Sequence, residues 1–157
     1  MRNTPTLTLV NYEKKYYSQL KALTLEWLEK YLTVEPEDEK FIENPEEYVL
    51  QKGGFIYIAL YNNEVIGTVS LYKVTAHQYE LAKLAITEKY KGLGFGKALV
   101  EFAIQKAKSL QARELVLYTT KRLAAAYNLY LTYGFVDSSK AQKYLESDSY
   151  MVLKLQS

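Results

Sequence analysis

The amino-acid sequence predicts a mixed α/β (α+β) fold in which a mixed sheet carries helices on both faces. Its 157 residues fit a single domain, residues 1–157, because a domain usually takes about 100–200 residues. Hydrophobic residues make up 48% of the chain and charged residues 24%, a balance that is typical of globular proteins. Strand-like and helix-like hydrophobic periods alternate along the chain, which indicates a layered sheet with helices.

The N-terminal third is predicted to hold one strand and two helices. Residues 7–12 alternate and are rich in β-formers, which predicts a strand. Residues 14–31 place apolar side chains at helical spacing. A second helix is predicted to begin at Pro45, with Asn44 as its cap, and the glycine pair at 53–54 ends it.

The rest of the chain alternates strands with helices. Residues 62–64 carry turn chemistry between two strand patterns, which predicts a hairpin. The predicted strands are residues 55–61, 65–74, 79–86, 114–119, 135–139 and 149–155, and the predicted helices are residues 96–110 and 123–133.

The composition excludes several classes of site. Because the chain has no cysteine, it has no thiol nucleophile, redox pair, iron–sulfur cluster or zinc finger. The single histidine, His77, rules out a multi-histidine metal site, and its place between two strands is that of a solvated turn residue. We therefore predict no metal site.

Charge and hydropathy do not favour a nucleic-acid or membrane partner. The net charge of +2 is too small to indicate binding to a phosphate backbone. The first ten residues lack the apolar run of a signal peptide, and no stretch approaches the ~18 apolar residues of a membrane span. The predicted location is the cytoplasm, which the absence of cysteine also fits.

Three glycines, Gly92, Gly94 and Gly96, lie between a predicted strand and a predicted helix. Glycine lets the backbone approach a ligand closely, and a helix N-terminus presents unpaired N–H groups and a partial positive charge. This combination favours phosphate, and Lys91 and Lys97 add charge. A plain tight turn is the alternative. The spacing fits neither a Walker A loop nor a dinucleotide-binding fingerprint.

The string Lys91-Gly-Leu-Gly-Phe-Gly96 resembles the Gln/Arg-x-x-Gly-x-Gly/Ala loop of the GCN5-related N-acetyltransferase (GNAT) family. The strand at 80–86 looks like the central splayed strand of that family, and Leu129-Tyr-Leu-Thr-Tyr-Gly-Phe135 is similar to its Leu-Tyr-x-x-x-Gly-Phe signature. Two positions depart from the pattern: Lys91 stands where Arg or Gln is usual, and Leu123 where many members have Asn. The resemblance implies a GNAT-like fold with a central, mixed and largely antiparallel sheet.

The cosubstrate of the GNAT family is acetyl-coenzyme A (acetyl-CoA), so the resemblance implies this ligand. Its pyrophosphate would lie on the N–H groups of the glycine loop, and its pantetheine arm would pair with the splayed strand, whose edge must then be open. The amide near Leu84 would polarise the thioester carbonyl as an oxyanion-hole donor does. The implied cofactor-binding residues are Leu84, Ala85, Ile86, Lys91, Gly92, Leu93, Gly94, Phe95, Gly96 and Lys97.

Tyr130, within the signature, is the implied general acid. The departing thiolate needs a proton. The pKa of a thiol is about 8.5, and that of a tyrosine is about 10. A tyrosine can hydrogen-bond the leaving sulfur and donate as charge develops, and such general-acid help contributes roughly 10²–10⁴-fold. Alternatively, Tyr130 is a core residue on one helical stripe with Tyr127 and Gly134.

Glu80 is the candidate general base. An alkylammonium group, with a pKa near about 10, must lose a proton before it attacks, and a carboxylate on the central strand can accept that proton directly or through water. The alternatives are a solvated strand charge, an ion pair with Lys83, or a cross-strand partner.

Three aromatic residues are candidate walls of the acceptor pocket. Trp27 and Tyr31 share one helix face, and family members bind the acceptor between the first helices and the central strand; core packing is the alternative for this pair. Tyr144, before the last strand, is the third candidate. The acidic stretch at 35–47 is expected to be a solvated face, with attraction of a polyamine or aminoglycoside as the alternative.

Together these residues predict an N-acetyltransferase that moves acetyl from acetyl-CoA to a primary amine of a small molecule or peptide. Direct attack in a ternary complex is expected, because no cysteine exists to form an acyl-enzyme. A non-catalytic acyl-CoA-binding or sensing module is the alternative. A tyrosine-rich nucleic-acid-binding domain that uses stacking is a third option, against which the near-neutral charge argues. Many GNAT relatives are homodimers, so the resemblance allows a homodimer as one option for the assembly, but no residue pattern locates its interface.

Overall fold

The structure, a computed structural model, describes residues 6–138 and 143–155. Its strands are β1 (Thr8–Asn11), β2 (Phe55–Tyr61), β3 (Glu64–Thr75), β4 (Gln78–Ile86), β5 (Glu114–Thr119), β6 (Val136–Asp137) and β7 (Ser149–Lys154). Its α-helices are α1 (Tyr17–Tyr31), α2 (Pro36–Glu43), α3 (Pro45–Tyr48), α4 (Phe95–Ser109) and α5 (Ala124–Thr132). The strands form one seven-stranded sheet in the order β1-β2-β3-β4-β5-β7-β6, which confirms the predicted fold class.

The sheet is antiparallel except between β4 and β5, which run parallel. Their ladder has three residue pairs and ends at Glu80 and Val116. Beyond this point β4 continues to Ile86 and β5 to Thr119, and β5 pairs along its whole length with β7 instead. The two parallel strands therefore separate, which leaves a wedge-shaped opening in the middle of the sheet.

Apolar cores lie on both faces of the sheet. Helix α4 buries Leu99 in one core, and α1 and α2 bury Leu20 and Phe41 in the other. The strand β4 separates them, since Leu81 belongs to the first core and its neighbour Ala82 to the second, as alternation along a strand requires. Burying each such leucine contributes about 1.5–3 kcal/mol, so both helix layers are held firmly against the split sheet.

The helix α2, which begins at Pro36, was not among the predicted helices. Proline is well placed in a first helical turn, where its missing N–H has no partner to lose. Glu35 and Asp38 complete the start of α2 as a capping box. The same logic was applied correctly to α3, where the Asn44 side chain accepts a hydrogen bond from the N–H of Glu47.

The last predicted strands differ only at their ends. The observed β6 is Val136–Asp137, shorter than the predicted 135–139, of which residue 139 lies outside the described residues. Phe135 is buried in the core and Gly134 has φ 98°, so the chain is still turning out of α5 where the strand was predicted to begin.

Within residues 6–138 and 143–155, no helix is long and apolar enough to cross a lipid bilayer. In the same ranges, no group of three or more His, Cys, Asp or Glu side chains is arranged to hold a metal ion.

Candidate active site

The wedge between β4 and β5 opens into a cleft with a volume of about 520 Å³. One wall is formed by α1, and the other by the N-terminal parts of α4 and α5. The cleft therefore connects the two faces of the sheet at the place where its strands separate. Ten predicted site residues line it: Trp27, Tyr31, Glu80, Leu84, Ala85, Ile86, Lys91, Gly96, Tyr130 and Tyr144.

A β-bulge in β4 shapes the floor of the cleft. Ser70 on β3 pairs with Ala82. Two residues earlier on β3, Thr68 pairs with Ala85, so β4 holds one extra residue here. Lys83 lies in this bulge with a left-handed φ of 55°, which non-glycine residues adopt only rarely. Because a bulge interrupts the regular ladder and re-aims the strand, the three residues after Lys83 are turned along the cleft that they line.

A buried ion pair between Lys83 and Asp38 of α2 anchors the bulge. The two side chains are only 8% and 4% exposed, and the Lys83 ammonium lies 4.9 Å from the centre of the Tyr144 ring. Asp38 also accepts a 2.9 Å hydrogen bond from the N–H of Glu35. The expectation that the acidic stretch is a solvated face is thus wrong for Asp38, because helix α2 turns this carboxylate inward, toward a lysine of the sheet.

Glu80 lies at the apex of the wedge, where the β4–β5 ladder ends. It is 4% exposed, and its Oε1 accepts a 2.9 Å hydrogen bond from Nζ of Lys143. Burial raises the pKa of Glu80, because desolvation disfavours the carboxylate, while the charges of Lys143 and Lys83 oppose that rise. Its burial excludes a solvated strand charge, and its ion-pair partner is Lys143 rather than Lys83.

Tyrosines surround the Glu80 carboxylate. Tyr72 is its cross-strand neighbour on β3, and Tyr118 and Tyr144 line the same cleft with their rings 6.2 Å apart. Burial, with the charge of Glu80 as a smaller cause, raises the pKa of Tyr72, Tyr118 and Tyr144, so all three hydroxyls keep their protons near neutral pH.

A second cavity of about 310 Å³ adjoins the cleft. Glu80 and Tyr118 line both the cleft and this second cavity.

Trp27 and Tyr31 form an aromatic pair on the α1 wall, with ring centres 5.5 Å apart. The Tyr31 hydroxyl donates a 2.8 Å hydrogen bond to Glu88, and Lys91, at the start of the glycine loop, donates to the same hydroxyl. Glu88 also pairs with Lys30, and these contacts lower the pKa of Glu88. The predicted acceptor wall and the predicted phosphate loop are therefore joined by one polar network.

The glycine loop lies at one end of the cleft, before α4. Gly92 and Gly94 have φ values of 81° and 84°, a left-handed conformation that favours glycine at both positions. A Cβ added at Gly96 would meet no other atom within 4 Å, so this glycine leaves open space beside the backbone. Among the described residues, no protein group accepts a hydrogen bond from the backbone N–H groups of residues 92–97.

Five of the predicted loop residues do not line the cleft: Gly92, Leu93, Gly94, Phe95 and Lys97. Phe95 packs on Tyr61, with ring centres 5.0 Å apart, and Leu93 is exposed. These five residues are predicted to bind the pyrophosphate through their backbone N–H groups at the start of α4. This role stays a prediction.

Tyr130, on α5, lines the same cleft as Glu80. It is 7% exposed, and its ring packs at 5.8 Å from that of Phe135. Burial raises the pKa of Tyr130 to about 12, so the hydroxyl is a hydrogen-bond donor throughout the physiological pH range. Tyr130 is therefore a core residue, through its ring, that also lines the cleft; its role as general acid stays a prediction.

Residues 20–135 match the model of the acetyltransferase (GNAT) family. The chain belongs to this family. The match spans both halves of the cleft, from α1 to the Gly134-Phe135 pair that ends the signature after α5.

Similar GNAT proteins agree with this assignment. The rat N-acetyltransferase 8B is 31% identical over 93 residues, which are 56% of this chain, and the match covers 42% of the relative's length. The crystal structure of a GNAT acetyltransferase from Staphylococcus aureus Mu50 has a TM-score of 0.86 at 21% identity, covering 96% of this chain and 100% of that one. A Vibrio cholerae spermidine N-acetyltransferase in complex with CoA and spermine has a TM-score of 0.72 at 17% identity, covering 94% and 95%.

Sequence reasoning missed three charged residues of this GNAT chain: Asp38 and Lys83, which line the cleft, and Lys143, which lines the second cavity beside Glu80. A charged residue on an otherwise apolar strand stretch, as at Lys83, is a usable signal that a buried partner exists. Nothing in the sequence pairs Lys83 with Asp38, 45 residues away, or Lys143 with Glu80, 63 residues away. Such contacts depend on how α2 and the segment before β7 fold over the sheet.

Proposed function

We propose that the chain is an acetyl-CoA-dependent N-acetyltransferase that transfers acetyl to a primary amine by direct attack in a ternary complex. Acetyl-CoA-dependent acetyl transfer is the general reaction of the GNAT family to which it belongs. The observation that carries the proposal is the cleft itself, where a buried carboxylate, an open strand edge and a helix N-terminus meet.

The residues present fit acetyl-CoA. A diphosphate needs hydrogen-bond donors, and the N–H groups at 92–97 have no protein acceptor among the described residues at the positive end of α4. The pantetheine amides need a strand to pair with, and β4 after Glu80 is left unpaired on its β5 side. Acetyl-CoA supplies the activated acetyl group; the protein's amide near Leu84 would hydrogen-bond the carbonyl oxygen.

Glu80 would activate the acceptor amine. An ammonium group must lose a proton to become a nucleophile, and the Glu80 carboxylate lies in the cleft to accept it. Because burial raises the pKa of Glu80, it is a better base than an exposed glutamate and comes closer to the pH at which a general base is most effective.

Tyr130 would stabilise the leaving thiolate. With a pKa of about 12, its hydroxyl holds its proton more tightly than an ordinary tyrosine, so it acts by a hydrogen bond that strengthens as charge develops on sulfur. Full transfer of the proton to a thiolate is uphill for such a group, and water would complete it.

The change Tyr130→Phe is expected to lower kcat at least tenfold with little loss of acetyl-CoA affinity, because it removes a donor that acts only as charge develops. Steady-state kinetics and titration calorimetry measure the two quantities. Tyr127→Phe is the matched control, since that hydroxyl bonds Asp137 at 3.0 Å and does not line the cleft. An unchanged kcat would remove Tyr130 from this role.

The change Gly96→Val is expected to weaken acetyl-CoA binding at least tenfold while the free protein keeps its melting temperature. Its φ is not left-handed, and an added Cβ would meet no atom within 4 Å outside its chain neighbours and the nearby backbone of its own helix, so we expect the added side chain to crowd a ligand rather than the fold. This makes Gly96 a sharper test than Gly94, where the left-handed φ of 84° would also strain the fold. The acetyl-CoA affinity of Gly96→Ala should lie between that of the wild type and that of Gly96→Val. Normal acetyl-CoA binding by Gly96→Val would show that the cofactor does not bind beside Gly96.

The acceptor is proposed to be a primary amine on a small molecule or peptide. The direct assay is a panel of amines with acetyl-CoA, read by a thiol reagent, because the chain has no cysteine and so gives no protein background. Turnover with any amine separates the enzyme from the alternative, a non-catalytic acyl-CoA-binding module, which would bind acetyl-CoA and release no CoA. A cytoplasmic location is proposed from the sequence composition, and a homodimeric assembly is proposed from the family resemblance.

A further inference from the structure

We propose that Lys143 is an acetylation site of the protein itself: its ammonium occupies the place beside Glu80 that an acceptor amine would take, and acetyl passes from acetyl-CoA to its Nζ within the same molecule. The proposal rests on the proposed function, because it uses the same base: Glu80 lines both the cleft and the second cavity, and Lys143 lines the second cavity.

The contact with Glu80 carries the proposal. Nζ of Lys143 lies 2.9 Å from Oε1 of Glu80, which is the hydrogen-bond distance a general base needs to its proton donor. Glu80 is the carboxylate at the apex of the wedge, next to the open edge of β4. A primary amine is thus already held where the proposed reaction requires one.

The surroundings of Nζ are those of an alkylammonium site. The ammonium lies 4.8 Å from the centre of the Tyr72 ring and 5.5 Å from that of Tyr144, and aromatic faces attract such cations. The Lys143 side chain is 26% exposed, so it reaches both water and the site. Lys83 is different, because its side chain is 8% exposed and its partner is Asp38.

The chemistry balances without another reagent. Glu80 accepts one proton from the ammonium, which leaves a neutral Nζ with a lone pair. Glu80 passes this proton to water and is again a carboxylate. Nζ then forms a bond to the acetyl carbon while the carbon–sulfur bond breaks, and Glu80 accepts the second nitrogen proton. Tyr130 hydrogen-bonds the departing sulfur, which takes one proton from water. The products are Nε-acetyllysine at position 143, free CoA and one proton.

The test is incubation of the purified full chain with acetyl-CoA and no amine, followed by peptide mass spectrometry over time. Lys143 should be acetylated at least tenfold faster than Lys108, an exposed residue in the last turn of α4 that reports chemical background. The rate per molecule should not change with protein concentration. Glu80→Gln should slow the reaction at least a hundredfold, and Lys143→Arg should abolish this signal while Lys108 is unaffected.

Two further measurements separate this proposal from the proposed function. Calorimetry with acetyl-CoA and turnover of an added amine are run on the same preparation. If acetyl-CoA binds and an amine is acetylated while Lys143 is modified no faster than Lys108, or equally fast in Glu80→Gln, self-acetylation is overturned and the enzyme function stands. A rate that rises with protein concentration also overturns transfer within one molecule. If acetyl-CoA does not bind, the proposed function fails.

Discussion

Changing Glu80 to glutamine is expected to lower kcat for any amine acceptor at least a hundredfold, since a general base contributes roughly 10²–10⁴-fold. Glutamine has the same shape, and its amide oxygen can still accept the bond that Lys143 donates to Oε1 at 2.9 Å. It cannot take a proton. The loss should therefore appear in kcat. The melting temperature should change less than in Asp38→Asn, because the Lys143 side chain is 26% exposed and its charge can be hydrated, whereas that of Lys83 is 8% exposed.

The pH profile tests the same role of Glu80 in a way that a structural role would not reproduce. A base works only when ionised, and burial raises the pKa of Glu80, so wild-type activity should fall as pH decreases through a value above that of an ordinary glutamate. Removing the opposing charge with Lys143→Met raises this pKa further and should shift the acidic limb to higher pH. In Glu80→Gln the limb should be absent.

The matched control for Glu80 is Glu114→Gln, which alters a carboxylate on the neighbouring strand at the far end of the same ladder. Glu114 accepts a 2.8 Å hydrogen bond from Gln78 and does not line the cleft, so kcat and the acidic limb should be unchanged. Full activity in Glu80→Gln, with the acidic limb still present, would assign the base to another group.

Changing Asp38 to asparagine is expected to destabilise the fold by about 3–5 kcal/mol, because it leaves the Lys83 charge buried without its partner. The side chains of the pair are only 4% and 8% exposed. Asparagine can still accept the N–H bond from Glu35, so the start of α2 is kept and the effect reports the ion pair. Urea unfolding measures the free energy of unfolding.

A double-mutant cycle shows whether the two charges act together. Lys83→Met should destabilise by a similar amount, and Asp38→Asn with Lys83→Met should recover much of the loss, since replacing both charges leaves neither unpaired. Glu64→Gln is the control; it removes the exposed partner of Lys89, and surface pairs contribute little. Additive losses in the double variant would show that the buried pair has no coupling.

The strands and helices could be predicted largely because each depends on neighbours in sequence. The strand predicted at residues 55–61, a run of apolar and aromatic residues, matches the observed ends of β2, and the strand predicted at 114–119 matches those of β5. Proline was the main source of error: Pro45 was interpreted as a helix start and Pro36 was not, although both begin helices. The rule is local, but applying it required the capping residue, Glu35, to be recognised as well.

The candidate site could be predicted in part, through its motif. The glycines at 92–96 and the Leu-Tyr-x-x-x-Gly-Phe signature indicated the loop and Tyr130, and the structure places Gly96 and Tyr130 in one cleft. The partners of the charged residues could not be predicted. Glu80 was expected to have a partner on its own strand or the next one, whereas its partner, Lys143, comes from the segment before β7.

The sequence by itself determined the order of the strands and of all the longer helices except α2, the position of the glycine loop before α4 and the absence of cysteine thiols, because these follow from residue type and short-range spacing. Only the tertiary structure decided that the β4–β5 ladder stops at Glu80, that Lys83 lies in a bulge and pairs with Asp38, and that Lys143 pairs with the Glu80 carboxylate. The last two of these features depend on which oppositely charged residues pair in the folded chain. A charge removed from water must be paired, but the pairing is chosen by the packing of distant elements and not by the spacing of residues along the chain.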